Sequence, residues 1–158
     1  MTGMESSSRV TRRHVLVLTG AAAAAAGAGL LPGIARADKA AVEEAINKAV
    51  GSATVQSGRI TLDLPQIAEN GNTVPIGIEV DSPMTASDYV KSVHIFAEGN
   101  PNPGVASIHF TPANGVAKAA TRMRLLKTQN VVAVAEMSDG SVYRETVEVK
   151  VTIGGCGG

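Results

Sequence analysis

Alternation of apolar and polar or small residues along much of the chain is the feature that most constrains its fold. Val74, Ile76, Ile78 and Val80 alternate with Pro, Gly, Glu and Asp. A period of two places one face of a strand in a core and the other face in water. The predicted strands are Ile60–Leu64, Val74–Val80, Ser92–Ala97, Ala106–Thr111, Ala119–Leu126, Val131–Met137 and Val142–Ile153.

The number and spacing of these strands predict an all-β fold. Seven short strands at intervals of about ten residues are typical of an immunoglobulin-like antiparallel β-sandwich. Asp139-Gly140 is the clearest hairpin signal, because both residue types tolerate the positive φ of such turns. Pro75 donates no ladder hydrogen bond and predicts a strand edge or a bulge, where a partner strand can add. One short amphipathic helix is predicted before the strands, over 38–50, with Asp38 as its cap.

The composition excludes several classes of protein. A chain of 158 residues with 44% apolar residues is large enough for one domain and its core, and too short for a large multidomain enzyme. Basic and acidic residues number 14 each, and aromatic residues make up 3% of the chain, so a nucleic-acid binder is not expected. A single cysteine excludes an internal disulfide.

The first 37 residues are predicted to be a twin-arginine export signal. Arg12-Arg13 precede the weakly apolar run Val15–Ile34, and Ala35-Arg36-Ala37 forms an A-x-A cleavage site. A membrane anchor is the alternative, since roughly 20 apolar residues can cross a bilayer. However, six consecutive alanines and four glycines make this run less hydrophobic than a leucine-rich anchor. Cleavage after Ala37 leaves 10 basic and 13 acidic residues, and hence a mildly acidic periplasmic protein with no membrane segment.

Two pairs of side chains in the predicted strands are candidates for binding. His94 and His109 are expected on strands joined by one loop, and they form too small a ligand set for a closed metal site, so metal binding is not predicted. Arg122 and Arg124 project from one side of their strand. They are candidates to bind an anionic ligand or an acidic partner, although such residues more often form only the solvated face.

The segment Gly154-Gly155-Cys156-Gly157-Gly158 contains the one thiol of the chain. Glycine has no Cβ to pack, so this segment is predicted to leave the sheet as a flexible tethered arm. An exposed unpaired thiol in an oxidising compartment is prone to oxidation, which favours a working role for Cys156 over an incidental one. No Lys, Arg or His lies within the last seven residues, so we expect partner enzymes to activate the thiol.

Four segments of the chain carry a specific pattern: Leu64–Pro75, Asp81–Thr85, Arg122–Leu125 and Val149–Gly158. These segments closely resemble the SoxY family, the sulfur-carrier subunits of the periplasmic thiosulfate-oxidising Sox system. The resemblance covers essentially the whole chain after residue 37, and the terminal Gly-Gly-Cys-Gly-Gly is its most diagnostic part.

This resemblance implies a covalent carrier that is not itself an enzyme and holds no cofactor. Cys156 would carry S-thiosulfonate and persulfide intermediates, and Gly154, Gly155, Gly157 and Gly158 would form a swinging arm. The implied partners are a SoxZ-like subunit in a heterodimer and, transiently, a SoxXA-type haem enzyme, a SoxB-type hydrolase and, in some organisms, a sulfur dehydrogenase. The domains would be a cleaved signal (1–37), a β-sandwich with an N-terminal helix (38–153) and the arm (154–158).

Two other classes of function remain as alternatives. A periplasmic β-sandwich binding or structural module would account for the strands, with Cys156 forming intermolecular disulfides. A redox enzyme normally needs a resolving cysteine or a thiol of low pKa, and the sequence offers no second cysteine. Only the carrier interpretation uses the export signal, the single cysteine and the glycine pairs together.

Overall fold

The computed structural model describes residues 39–152. These residues form one α-helix, nine strands and a short 3₁₀ turn, Pro112–Asn114. The elements are α1 (Lys39–Val50), β1 (Val55–Gln56), β2 (Ile60–Asp63), β3 (Ile67–Ala68), β4 (Val74–Val80), β5 (Val90–Ala97), β6 (Gly104–His109), β7 (Ala117–Met123), β8 (Gln129–Met137) and β9 (Val142–Val151).

Several predictions concern residues outside the described range. They are the twin-arginine pair Arg12-Arg13, the cleavage-site alanines Ala35 and Ala37, the helix cap Asp38, and the arm with Cys156. Within 39–152, no helix has the length and apolar character needed to cross a bilayer.

The strands form two sheets that face each other. In the larger sheet the order is β1-β9-β8-β5-β6, with β3 also paired to β9, and in the smaller sheet it is β2-β4-β7. The long strands pair antiparallel, for example Val93 opposite Ala135 and Ile78 opposite Ala119. The predicted immunoglobulin-like β-sandwich is therefore confirmed.

The core lies between the sheets, on the faces that the alternation predicts. The apolar residues of β4, Val74, Ile76, Ile78 and Val80, are at most 3% exposed, whereas Pro75 and Glu79 between them face solvent. β8 departs from simple alternation because both of its faces are covered, which explains its nearly continuous apolar sequence. Residues 131, 133, 135 and 137 join the core between the sheets, while 132 and 134 pack beneath α1.

Helix α1 covers the outer face of the larger sheet. Val42 and Ile46, 0% and 2% exposed, pack with Phe96, Val132, Val134 and Val142. Glu43 adds an ion pair to Arg144 of β9 at 2.5 Å. The helix ends where Gly51 adopts a φ of +73° and donates its N–H to the carbonyl of Asn47 at 2.9 Å, as glycine does after many helices.

The predicted hairpin at Asp139-Gly140 joins β8 to β9, but only one of its two residues has a positive φ. Gly140 has a φ of +84° and donates to the carbonyl of Met137 at 3.1 Å. The Asp139 carboxylate instead accepts hydrogen bonds from the N–H and the hydroxyl of Ser141, at 2.8 and 2.6 Å. These bonds lower the pKa of Asp139, the hydroxyl having the larger effect.

Strands β1 and β3 were not predicted from the sequence pattern, and Pro75 does not mark an edge strand. Both short strands pair parallel to β9, at opposite ends of it, and two residues are too few to show a period. β4 is the middle strand of its sheet, so the prediction of an edge is wrong for the strand as a whole. Its pairing with β2 stops at Gly77, however, and Pro75 has a partner strand only on the β7 side.

Candidate functional site at the end of the last strand

The predicted carrier segment follows directly from β9. Cys156 and its four glycines lie outside the described residues, and the structure describes the chain as far as Thr152. Cys156 is the fourth residue after Thr152. At about 3.3–3.6 Å per extended residue, the cysteine can therefore lie at most about 14 Å from Thr152.

The end of β9 is held by hydrogen bonds on both of its sides. On one side Lys150 donates its N–H to the carbonyl of Gln66 at 3.0 Å, and Thr152 donates to Ala68 at 3.1 Å. On the other side Val151 donates its N–H to the hydroxyl oxygen of Thr128 at 3.0 Å. Hydrogen bonds thus hold the backbone as far as Thr152. We call Thr152 the anchor point, because the segment that bears the cysteine follows it in the chain.

Gly71 brings the loop before β4 against this anchor point. Its carbonyl accepts a hydrogen bond from the N–H of Leu125 at 2.7 Å. A Cβ on Gly71 would lie 2.3 Å from the carbonyl oxygen of Leu125 and 2.9 Å from Cγ1 of Val151, so no residue with a side chain fits without a shift of the backbone. The sequence predicts the Asn70-Gly71 turn but not this close packing.

A cavity of about 230 Å³ lies beside the anchor point. Arg124 lines this cavity together with Val151 and Thr152. Arg122, predicted to act beside Arg124, lines a separate groove of about 870 Å³ on the smaller sheet, which also includes Pro75. The structure therefore divides the predicted arginine pair between two sites, because β7 ends at Met123, between them.

Exposed apolar side chains also lie next to the anchor point. Ile67, 57% exposed, is opposite Lys150 in the pairing of β3 with β9. Leu126, 47% exposed, lines the same cavity as Arg124. Exposed apolar groups of this kind are suited to contact another protein. The sequence pattern does not predict either side chain as exposed, because it shows where apolar residues repeat and not which of them lie at the surface.

The two histidines are neighbours on the outer face of the larger sheet, with ring centroids 6.3 Å apart. His94 has a serine at each ring nitrogen, with Ser107 Oγ 2.8 Å from Nδ1 and Ser92 Oγ 3.1 Å from Nε2. Ser92 in turn donates to the carboxylate of Glu136 at 3.5 Å. Among residues 39–152, no group of three or more His, Cys, Asp or Glu side chains is placed to hold a metal ion.

The surroundings of His94 lower its pKa. Burial of the ring is the largest cause, the neighbouring His109 adds to it, and the negative charge of Glu136 partly opposes both. Glu136 also forms an ion pair with Lys91 at 2.5 Å and thereby raises the pKa of that lysine. These surroundings favour the neutral form of the His94 imidazole.

Two solved structures are similar to this chain in fold, and one of them is also similar in sequence. The sulfur carrier protein SoxY from Chlorobium limicola f thiosulfatophilum is similar with a TM-score of 0.61 and 35% identity, covering 71% of this chain and 96% of that chain. A variant of the superoxide reductase (neelaredoxin) from Ignicoccus hospitalis has a TM-score of 0.56 and 14% identity, covering 62% of this chain and 94% of that one. The second likeness concerns the fold alone. A comparison with curated proteins gave no match.

A family model completes the comparison. The model described as sulfur oxidation protein SoxY matches residues 46–156, which are more than half of the chain and include Cys156. Together with the 35% identity to the Chlorobium protein, this match confirms the resemblance predicted from the sequence. The chain belongs to the SoxY family of sulfur oxidation proteins.

Proposed function

We propose that this protein is a non-catalytic carrier, which holds sulfur intermediates covalently on Cys156 while thiosulfate is oxidised. The observation that carries the proposal is the position of the thiol. The one cysteine of the chain lies within the segment matched by the SoxY family model, four residues beyond the hydrogen-bonded anchor point at Thr152. The similar Chlorobium structure is itself that of a sulfur carrier protein.

The proposed chemistry requires two partner enzymes, and with them the atoms and electrons of each step balance. The thiolate of Cys156 and the terminal sulfur of thiosulfate form an S–S bond and lose two electrons, which pass to a SoxXA-type haem enzyme. Cys156 then bears an S-thiosulfonate. Water, delivered by a SoxB-type hydrolase, attacks the sulfonate sulfur and releases sulfate and two protons, leaving a persulfide anion on Cys156. A sulfur dehydrogenase would oxidise this remaining sulfane sulfur in hosts that possess one.

The proposed arm comprises residues 154–158, with Gly154, Gly155, Gly157 and Gly158 around the cysteine. Glycines present the smallest cross-section next to the reacting sulfur and allow many backbone conformations. With a reach of about 14 Å from Thr152, the sulfur can enter an active site only if the enzyme also approaches the surface around the anchor point. Ile67 and Leu126 supply exposed apolar contacts there.

The proposed setting is the periplasm, reached through a twin-arginine signal that is cleaved after Ala37. That export route carries folded proteins, which fits export together with a SoxZ-like subunit in a heterodimer. The mature chain would have 10 basic and 13 acidic residues and hence a net charge of −3, which does not favour binding to anionic lipid surfaces.

Intact-mass spectrometry of protein purified gently from the periplasm of thiosulfate-grown cells tests the carrier role. We expect wild-type protein to carry an added sulfur atom or thiosulfonate group that reductant removes, and Cys156→Ser protein to carry neither. Ser is the matched control because it replaces only the sulfur atom. Wild-type protein with nothing but a free thiol would contradict the proposal, and cysteine-linked dimers without sulfur adducts would favour the structural module instead.

A further inference from the structure

The smaller sheet has a groove of about 870 Å³ where β2 separates from β4. The pairing of these two strands ends at Asp63 opposite Gly77. Two residues further along the same register Pro65 would face Pro75, and neither proline has an N–H for a ladder hydrogen bond. Both prolines line the groove that opens there.

Small residues form the floor of the groove. Gly77 lies between Asp63 and Ala120 in one row across the three strands. A Cβ on Gly77 would lie 3.1 Å from Cβ of Asp63 and 3.6 Å from its Oδ2, so the Asp63 side chain lies over the glycine. Because neither Gly77 nor Ala120 has a bulky side chain, the floor leaves room for a segment of another chain.

The groove has opposite charges on its two sides. Asp63 belongs to β2 and Arg122 to β7, with β4 between these strands. Both residues are exposed, and both line the groove. None of the three ion pairs among residues 39–152 involves either of them. The two charges are therefore available to a binding partner.

Elsewhere on this sheet, opposite charges on neighbouring strands pair with each other. Glu79 lies opposite Lys118 in the pairing of β4 with β7, and the two form an ion pair at 3.1 Å. In the groove, by contrast, uncharged residues of β4 stand opposite the charged ones, Gly77 opposite Asp63 and Pro75 opposite Arg122. The sequence thus places the acidic and the basic group two strands apart.

The groove extends to the base of the arm. Pro65 lines the groove, and the next residue, Gln66, accepts the N–H of Lys150 at 3.0 Å, two residues before Thr152. Cys156 can lie at most about 14 Å from Thr152. An enzyme whose active site receives the sulfur therefore has to approach the surface that contains the groove.

We propose that the groove binds an extended segment of the enzymes that take up the arm, a segment with a basic side chain for Asp63 and an acidic side chain for Arg122. This inference rests on the proposed function, since a carrier has to meet its enzymes close to the arm. Opposite charges at the two sides of the groove fix the direction in which the segment lies. The enzyme is thereby oriented with its active site toward Cys156.

Turnover of chemically loaded protein tests this docking. Tetrathionate loads Cys156, because the thiolate attacks one of its central sulfur atoms, forms the S–S bond of the S-thiosulfonate and releases thiosulfate. The protein is purified gently, together with any subunit that accompanies it. The periplasmic hydrolase that the proposed function requires then releases sulfate, and the rates at increasing concentrations of loaded protein give kcat and KM.

We expect Asp63→Asn and Arg122→Gln each to raise KM by about two- to five-fold, the range of one exposed ion pair, and to leave kcat unchanged. The groove acts on the encounter of the two proteins and not on the bond that breaks. Glu79→Gln and Lys118→Gln are the matched controls, because they remove the same charges from the same sheet outside the groove. Both controls should keep the KM of the wild type.

An unchanged KM in either groove variant would overturn the proposal, as would an equal rise in the controls, which would assign the effect to the net charge. Groove variants that lose the accompanying subunit would place the groove in the subunit interface and also overturn it. Loaded wild-type protein that releases no sulfate would overturn the carrier role as well, so the two failures are distinguishable. Thermal unfolding verifies that the variants are folded.

Discussion

The hydroxyl oxygen of Thr128 accepts a hydrogen bond from the N–H of Val151 at 3.0 Å and lies 3.5 Å from the carbonyl oxygen of the same residue. Backbone pairing of β8 with β9 ends one step earlier, at Gln129 opposite Val149. The Thr128 side chain therefore adds one hydrogen bond between the end of β8 and the end of β9, beyond the last backbone pair and nearer to Cys156 in the chain. It fixes the anchor point on the side away from β3.

Replacing Thr128 by Val should loosen the anchor point, because Val has the shape of Thr without its hydroxyl. The loss of one hydrogen bond costs about 1 kcal/mol, which corresponds to about a five-fold faster hydrogen exchange at the amide of Val151 if exchange follows local opening. Hydrogen exchange followed by NMR measures this rate. Thr128→Ser keeps the hydroxyl and should exchange as the wild type does; a fast-exchanging Ser variant would contradict the role of the hydroxyl.

Replacing Gly71 by Ala should destabilise the protein, because the new methyl group would lie 2.3 Å from the carbonyl oxygen of Leu125. Relief of such a clash requires a backbone shift, and overpacking of this kind costs about 1–3 kcal/mol. Urea unfolding measures the change in the free energy of unfolding. Gly104→Ala is the control, since a Cβ there meets nothing within 4 Å; equal losses in both variants would contradict the packing argument.

Stability should fall as the medium becomes acidic, because the folded protein lowers the pKa of His94 from its ordinary value of 6.5. The unfolded chain then binds a proton at pH values where the folded protein does not. The contribution of His94 is fully present above the unfolded pKa and is lost as the pH falls toward the folded pKa. Urea unfolding between about pH 8 and about pH 5 spans the titration range of histidine and measures this slope.

His94→Asn should reduce this pH dependence, since the titrating ring is removed. His109→Asn should retain most of it, because burial of His94, and not the charge of His109, is the largest cause of the shift. An unchanged slope in the His94 variant would show that another group is responsible.

Replacing both Arg12 and Arg13 by Lys should keep the protein in the cytoplasm, because twin-arginine export depends on the arginine pair and not only on its charge. Cell fractionation and intact-mass analysis measure the outcome, and we expect the wild-type protein of the periplasm to begin at Asp38. Arg9→Lys is the control outside the pair. A wild-type protein that retains residues 1–37 in the membrane fraction would instead support a membrane anchor.

The elements that the sequence predicts correctly are those whose periodicity is carried by several residues. Strand β4 has an apolar residue at every second position, at Val74, Ile76, Ile78 and Val80. A strand with one buried face is the arrangement that this alternation predicts. Strands β1 and β3 have two residues each. Their pairing is set by where tertiary contacts bring them along β9, so local sequence does not predict them.

Only part of the candidate site can be predicted from the sequence. Cys156 could be singled out from the sequence because one thiol between glycine pairs combines its chemistry and its backbone freedom in five consecutive residues. The cavity beside the anchor point combines Arg124 with Asn72 and Thr152, which are far apart in the chain. These residues come together only after the two sheets have packed. The spacing in the sequence instead predicts that Arg122 and Arg124 act together, whereas the structure places them in separate cavities.

Strand β9 pairs with β1, β3 and β8, and it is followed by Cys156 within five residues. During synthesis β9 can pair only after it has left the ribosome, so Cys156 has already been translated when the larger sheet closes. A chain that stops before β9 leaves β1 and β3 without partners and one side of β8 unpaired, and exposes apolar surface that proteases and chaperones recognise. A chain in which the larger sheet has closed is therefore a chain in which the cysteine is already present.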